Sequence, residues 1–280
     1  MIKLNLPNVD SPVAQIKETL KIINEIDLVA QKEKELNLDL SSIEWILPCS
    51  ALLLSAKIDE MKTQGYKISY IEPDNNFVRN YLITIGFPFG TETQGETYYP
   101  VNHFNNKDDI NKKVGAFVND INKKLPDKFG DSVLYILGEL TDNIEQHSQF
   151  THASIMAQYF PNKEYLDIGI LDNGLSIPGV FEKNKIPFSK DCEAVDNALK
   201  GTTTKKEEGT RGFGLSSSKK IIRDLIDGEL HIISRKGAII FEPESFSKKY
   251  EFDKNSLKGT MIYMRLNIPS KRLNIYPYLE

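Results

Sequence analysis

The chain has 280 residues, of which 40% are hydrophobic and 26% are charged, and its formal net charge at pH 7 is −4. These values are typical of soluble globular proteins and exclude collagen, coiled-coil rods and wholesale disorder. The slightly acidic balance gives no general reason to bind nucleic acid. No apolar run approaches the roughly 20 residues that span a bilayer, and the N-terminus lacks a secretory signal. We therefore expect a cytoplasmic protein that binds neither nucleic acid nor membrane, with Cys49 and Cys192 as reduced thiols.

The N-terminal part alternates helical and strand-like patterns. Residues 13–31 carry apolar side chains at helical spacing, and residues 36–40 alternate apolar and polar side chains, which predicts a helix followed by a strand. Residues 48–65 indicate a second helix, with Ser50 as its N-terminal cap and Gly65 as its stop. The remaining elements predicted in this part are a strand at 66–73 and a helix at 76–85. This alternation is typical of a small α/β domain.

A change in composition separates the two parts of the chain. Residues 87–111 are rich in Gly, Pro, Thr and Asn and show neither helical nor strand periodicity, which is typical of a linker. We place a domain boundary near residue 100, with domains at 1–98 and 99–280. On this interpretation His103 is a solvated loop residue.

The C-terminal part carries four predicted helices and a series of strands. The helices are predicted at 107–124, 130–149, 192–200 and 215–227. Two strands, a hairpin turning at Lys236–Gly237 and a final strand are predicted at 153–160, 164–172, 228–243 and 259–269. The order indicates an α/β sandwich, with helices packed against a mostly antiparallel sheet.

The first motif with chemical content lies on the helix predicted at 130–149. Glu139, Asn143 and His147 are spaced four residues apart, so we expect them on one helix face. Asn offers a neutral oxygen to a hard cation such as Mg²⁺, and Glu can accept a proton from an attacking water. Alone, the motif is equally typical of a solvated helix face.

The second motif is the tripeptide Asp172-Asn173-Gly174 at the end of an apolar strand. It could be a simple turn, because Asp, Asn and Gly are common turn residues. It could also place a carboxylate where it accepts a hydrogen bond from a ligand, since a buried carboxylate is costly without a partner.

The third motif is a glycine-rich loop before a helix that begins near Leu215. Its glycines are Gly209, Gly212 and Gly214. Glycines let the backbone approach an anion, a helix N-terminus presents unpaired N–H groups to phosphate, and Lys205 and Arg211 add positive charge. The loop is not a Walker A sequence, and by itself it is also typical of a surface loop.

In this order, and with Gly259-Thr260 on a late strand, the motifs resemble those of the GHKL superfamily of Bergerat-fold ATPases. That family has Glu-x-x-x-Asn on a helix, then Asp-x-Gly, a glycine-rich lid and a late Gly-Thr. The resemblance covers about residues 105–270. It implies an α/β sandwich with helices packed on a mixed sheet, and ATP and Mg²⁺ as ligands.

The resemblance also implies roles for individual residues. Asn143 matches the magnesium ligand, Glu139 the general base of the hydrolytic members, and Asp172 the carboxylate that reads adenine. The other residues that we expect in the ATP site are Gly174, Lys205, Gly209, Arg211, Gly212, Phe213, Gly214, Leu215 and Thr260. The chain departs from the family pattern at Ser176, where many members have a second glycine.

The N-terminal part has a weaker resemblance to STAS domains, the fold of anti-sigma-factor antagonists. The similarity lies in the strand that ends in Asp39-Leu40-Ser41 and in the following loop and helix. Aligned on that strand, Pro48 occupies the position of the usual phosphoserine. The resemblance therefore implies a STAS-like module without the standard phosphorylation site, although Ser50 could substitute for it.

Three functions stay open from the sequence. The first is a GHKL-type ATPase that binds Mg-ATP, hydrolyses it slowly and couples its nucleotide state to a protein partner or regulator. The second is a serine/threonine kinase of the anti-sigma type, acting on a STAS partner. The third is a non-catalytic module whose interactions are gated by ATP. A homodimer is an open alternative, and a sensor histidine kinase is disfavoured because no acceptor histidine precedes the Glu139 helix on a dimerisation helix.

Overall fold

The structure is a computed structural model. It describes residues 1–91, 95–106, 108–109, 112, 116, 119, 123, 129–201, 214–243, 247–270 and 273–278. The chain divides into two compact units. Unit 1 comprises Met1–His103 and Ser154–Gln158, and unit 2 comprises Phe104–Ala153 and Tyr159–Glu280. Within the described ranges, no helix is both long enough and apolar enough to cross a membrane.

Unit 1 is built on a small parallel sheet in the order β1-β2-β3. Its strands are β1 (Ile2–Lys3), β2 (Glu35–Asp39) and β3 (Lys67–Ile71), and its helices are α1 (Pro12–Ala30), α2 (Pro48–Thr63) and α3 (Asn76–Thr84). Leu36 and Leu38 of β2 are buried while Glu35 and Asn37 are exposed, so the sheet has one apolar face and one polar face. Helices α1 and α2 pack against each other and against the sheet.

The predicted cap of α2 is wrong. The helix begins at Pro48, its N-terminal cap is Leu47, and no side chain caps it. Ser50 lies inside the first turn, is fully buried, and its hydroxyl accepts a 2.8 Å hydrogen bond from the hydroxyl of Thr19 on α1. Pro48 has no N–H group that would need a capping partner at the first helical position. The Ser50 hydroxyl instead forms a hydrogen bond between α2 and α1.

The predicted linker contains a strand. Residues 98–104 form β4 (Tyr98–Phe104), which pairs with β5 (Ala153–Phe160). Tyr99, Pro100 and Val101 are buried at consecutive positions. His103 is not a solvated loop residue, because its Nδ1 lies 2.7 Å from the Ser154 hydroxyl and its Nε2 lies 2.9 Å from the Pro88 carbonyl oxygen. Burial against β5 stabilises an extended conformation that the polar composition did not predict.

Unit 2 contains a sheet of five strands in the order β6-β10-β7-β8-β9, with antiparallel pairing. These five are β6 (Tyr165–Asp172), β7 (Glu229–Arg235), β8 (Gly237–Phe241), β9 (Lys248–Glu251) and β10 (Leu257–Asn267). The described helices of unit 2 are α4 (Gly130–Asn143), α5 (Ile177–Lys183), α6 (Asp191–Leu199) and α7 (Gly214–Lys220).

The α/β fold class is confirmed: a small parallel sheet with helices, and a larger sheet against which α5 and α6 pack. The apolar residues of β6, β7, β8 and β10 are buried, as the sequence pattern predicts, and they are mainly Ile, Leu and Met, whereas β9 is exposed. Helix α5 and strand β9 lie in stretches where no element was predicted. Of the helix predicted at 107–124, residues 108–109, 112, 116, 119 and 123 are described and are helical, and the others lie outside the described residues.

Candidate functional site

Helix α4 positions the first two predicted site residues. It buries Val133, Ile136 and Leu140 on one side and leaves Glu139 and Asn143 half-buried. After Asn143 the chain continues as one wider π turn, Ile144–Ser148. The α-helix itself therefore ends at Asn143, before the predicted end at residue 149, and His147 lies in the π turn that follows. Such π turns are often found at functional sites, because they redirect the side chains that follow.

Asp172 is the last residue of β6 and lies directly opposite Thr260 of β10. It is 3% exposed. Burial raises the pKa of Asp172 to about 7, although hydrogen bonds from the Gly174 N–H, the Ser148 hydroxyl and the Thr260 N–H each oppose that rise. The group thus titrates near neutral pH, because three neutral donors do not replace the hydration that a carboxylate loses.

A second buried carboxyl on the same strand has very different surroundings. Asp167 is completely buried and forms a two-pronged ion pair with Arg265, at 2.8 Å from Nε and 3.0 Å from Nη2. The Tyr263 hydroxyl also donates to Asp167. Within the described part of the chain Asp172 forms no ion pair. Five residues of a strand separate the two carboxyls, so they lie on opposite faces of the sheet.

The turn after Asp172 is held against the end of the π turn. The Asn173 side-chain oxygen accepts hydrogen bonds from the backbone N–H groups of Thr151 (3.0 Å) and His152 (2.9 Å). The Gly174 N–H donates to Asp172 Oδ1 at 2.8 Å. A Cβ at Gly174 would collide with the backbone carbonyl of Ser148. Gly174 is therefore required by close packing of two backbone segments, whatever the ligand.

Ser176, the departure from the family pattern, caps α5. Its hydroxyl accepts a 3.1 Å hydrogen bond from the Gly179 N–H, and Pro178 lies in the first turn of the helix. A serine at an N-cap stabilises a helix by satisfying one of its unpaired N–H groups. The N-cap role of Ser176 thus explains why a serine is present at this position.

A cavity of about 290 Å³ lies between these elements within unit 2. Six predicted site residues line it: Glu139, Asn143, Asp172, Gly214, Leu215 and Thr260. Other polar lining residues are Asp142, Gln146, His147 and Ser148. Apolar side chains complete the wall: Leu140, Ile144, Ile170, Leu175, Ile177, Val180, Phe181, Ala198 and Ile262. Apolar walls with a few convergent polar groups are characteristic of small-molecule sites.

Two glycines close the cavity wall tightly. A Cβ at Gly214, the first residue of α7, would collide with the carboxylate of Glu139, so a larger residue there would require the Glu139 side chain to move. Gly259 has φ +86°, and a Cβ there would collide with the Asp172 carbonyl. The late Gly-Thr pair thus lets β10 lie close to the end of β6 and places Thr260 beside Asp172.

Several predicted site residues are not placed in the cavity. Gly174 lies next to it but does not line it. The other predicted members of the lid lie outside the described residues: Lys205, Gly209, Arg211, Gly212 and Phe213.

The sequence analysis missed Ser234 and Ser148. Ser234 is a fully buried polar residue of β7, and its burial, which only the structure shows, is a signal because buried polar side chains normally serve a hydrogen-bonding role. Ser148 gave no such signal, because its importance comes from the π turn that places it beside Asp172.

No protein-family model matches this chain, and no curated protein matches it either.

Proposed function

We propose that this protein is a Mg-ATP-binding ATPase of the GHKL type that couples its nucleotide state to a protein partner. The single observation that supports the proposal is that Glu139, Asn143, Asp172 and Thr260, from three separate elements, line one cavity together with Gly214. These residues were expected to act together from the order of their motifs alone. Their convergence does not follow from sequence proximity, since about 120 positions of the chain lie between the first and the last.

The donor set of the cavity fits a nucleotide. Asp172 accepts a hydrogen bond from the Gly174 N–H at 2.8 Å, while a carboxylate offers about four acceptor positions, so it retains capacity for a ligand donor such as an amino group. Ile170, Ile177 and Ile262 provide apolar surface suited to a flat base. Gly214 lies against the carboxylate of Glu139, so a side chain at the start of α7 would displace the Glu139 side chain.

The residues also fit a hard divalent cation. Asn143 brings a neutral carboxamide oxygen, and Glu139 and Asp142 bring carboxylates, which are the ligand types that Mg²⁺ prefers. When bound, magnesium neutralises phosphate charge. In this proposal Asn143 holds the cation, and Glu139 orients a water molecule and accepts its proton. Asp172 and Thr260 orient the base.

The kinase alternative receives no added support from unit 1. Ser50, the one serine considered as a substitute acceptor, is fully buried and hydrogen-bonded to Thr19. We therefore keep phosphotransfer to a protein as an outcome of the test. Coupling to a protein partner, a homodimer and a cytoplasmic location stay part of the proposal on the grounds given by the sequence.

The test is binding of ATP and release of phosphate in the presence of Mg²⁺. We expect the wild-type chain to bind ATP and to release phosphate slowly. Glu139→Gln should abolish release with binding retained, and Asn143→Ala should weaken Mg²⁺-dependent binding at least tenfold. The matched control is Glu145→Gln, which alters a carboxylate in the adjoining π turn that does not line the cavity.

Each outcome discriminates among the alternatives. ATP binding without phosphate release would favour the kinase or the ATP-gated module, which transfer of labelled phosphate to a protein serine would distinguish. No ATP binding by the wild-type chain would overturn the proposal. Equal loss of release in Glu139→Gln and Glu145→Gln would remove Glu139 from the role of base.

A further inference from the structure

The hydroxyl of Ser234 contacts the hydroxyl of Thr260, but Ser234 itself does not line the cavity. Ser234 of β7 and Thr260 of β10 are directly paired across the sheet, so their side chains share one face. Asp172 pairs with Thr260 from the other side and lies on the same face. Thr260 and Asp172 line the cavity, whereas Ser234 is fully buried and does not.

Three polar groups surround the Ser234 hydroxyl at hydrogen-bond distance. The Ile177 N–H donates to it at 2.9 Å. The Gly259 carbonyl oxygen lies at 3.2 Å, and the Thr260 hydroxyl lies at 2.8 Å. A serine hydroxyl has one hydrogen to donate and two lone pairs that accept, so three partners use its full capacity.

Only one arrangement makes all three contacts hydrogen bonds. The Gly259 carbonyl can only accept, so Ser234 must donate its single hydrogen there. The Thr260 hydroxyl must then donate its own hydrogen to Ser234. If Ser234 instead donated its hydrogen to Thr260, the buried oxygens of Ser234 and Gly259 would face each other at 3.2 Å without a hydrogen between them, which costs free energy.

The consequence concerns what Thr260 presents to the cavity. Because its hydrogen is directed to Ser234, the Thr260 oxygen can only accept a hydrogen bond from a ligand. The ionised Asp172 carboxylate beside it also only accepts. This part of the cavity therefore favours a group that carries hydrogens, such as an exocyclic amine. It disfavours a carbonyl oxygen at the same place, because the Thr260 oxygen and the Asp172 carboxylate would then face another acceptor with no hydrogen to share.

We propose that Ser234 is a positioning residue that fixes the Thr260 hydroxyl as a hydrogen-bond acceptor and thereby makes the cavity select amino-bearing over oxo-bearing bases. The inference rests on the proposed function in one respect, since it takes purine nucleotides as the ligands of the cavity. It goes beyond that function by assigning base discrimination to a buried side chain that touches no ligand.

The test compares the affinities for ATP and for inosine triphosphate, which carries an oxygen in place of the exocyclic amine. Binding is measured directly at pH 8 for the wild type, Ser234→Ala and Ser234→Thr. In Ser234→Ala the Thr260 hydrogen is released and can turn toward the ligand. We expect the preference for ATP to fall about tenfold, mainly through tighter binding of inosine triphosphate. Ser234→Thr keeps the hydroxyl and should retain the preference.

A matched control separates this effect from a general loss of packing. Ser217 is 1% exposed in unit 2, does not line the cavity, and its hydroxyl has no hydrogen-bond partner within the described ranges. Ser217→Ala should leave the ratio of the two affinities unchanged. Thr260→Val removes the hydroxyl that Ser234 orients, so it should also lower the preference, even where Ser234→Ala does not fold.

The outcomes distinguish failure of the inference from failure of the proposed function. An unchanged ratio in Ser234→Ala, or in Thr260→Val where Ser234→Ala does not fold, would overturn the inference while leaving ATP binding intact. Absence of any nucleotide binding by the wild type would overturn both. A fall of the ratio in Ser234→Ala but not in Ser217→Ala or Ser234→Thr would support the inference.

Discussion

Strand β6 carries two buried carboxyls whose surroundings differ in kind. On one face Asp167 is neutralised by the planar guanidinium of Arg265 and also accepts a hydrogen bond from Tyr263. On the other face Asp172 lies beside a cavity and accepts a hydrogen bond from the Gly174 N–H, a neutral donor. Asp167 therefore has a cationic partner, whereas Asp172 has none within the described residues. A buried carboxyl without a cation is a candidate for ligand binding, while one with a complete ion pair is structural.

The largest expected effect is on the structural side of this comparison. Asp167→Ala removes the carboxylate that pairs with the largely buried guanidinium of Arg265, whose side chain is only 12% exposed. We expect the free energy of unfolding to fall by about 3–5 kcal/mol, measured by urea denaturation. Glu35→Ala is the control, because the ion pair of Glu35 with Lys67 is exposed and should contribute little. A loss as small as that of the control would show that the Asp167 cluster is not structural.

The next effect concerns the pH dependence of stability through Asp172. Its pKa in the folded protein, about 7, lies above the ordinary value of 3.8, so the folded state holds a proton that the unfolded state releases. This contribution to stability is fully present below pH 3.8 and is lost as pH rises through 7. From pH 5 to pH 8 the wild type should lose about 3 kcal/mol relative to Asp172→Asn.

Urea denaturation at several pH values measures this difference. The control is Asp253→Asn, at an exposed position. Its free energy of unfolding should change with pH in parallel with that of the wild type. Parallel curves for wild type and Asp172→Asn would contradict the prediction and would remove the contrast between the two carboxyls of β6.

The smallest effect tests how the Asp167 cluster divides its stabilisation. Tyr263→Phe removes one hydrogen bond to a charged group while the Arg265 fork stays in place. The free energy of unfolding should fall by about 2 kcal/mol, less than in Asp167→Ala. Tyr250→Phe, at a tyrosine that is 38% exposed, serves as the control. A loss equal to that of Asp167→Ala would mean that the tyrosine, and not the arginine, holds the carboxyl.

Much of this architecture was predictable because hydrophobic periodicity is a local signal. The stripe of α1, the helix that carries Glu139 and the apolar strands β6 and β10 lie within a few residues of their predicted bounds. The predictions failed where local composition and tertiary burial disagree. Strand β4 has a polar, proline-containing sequence, yet Tyr99 and Val101 are buried. Serine is a common helix cap, yet the helix begins at Pro48 and the Ser50 hydroxyl is hydrogen-bonded to Thr19.

The sequence by itself determined the α/β class, most of the elements and the set of residues to examine for a nucleotide site. Only the tertiary structure decided that Glu139, Asn143, Asp172 and Thr260 line a single cavity. It also decided which of two similar carboxyls is paired and which is not. Strand register, the π turn after Asn143 and the backbone contact at Gly174 set those distances. They arise from packing between segments far apart in the chain, which periodicity within any one segment does not encode.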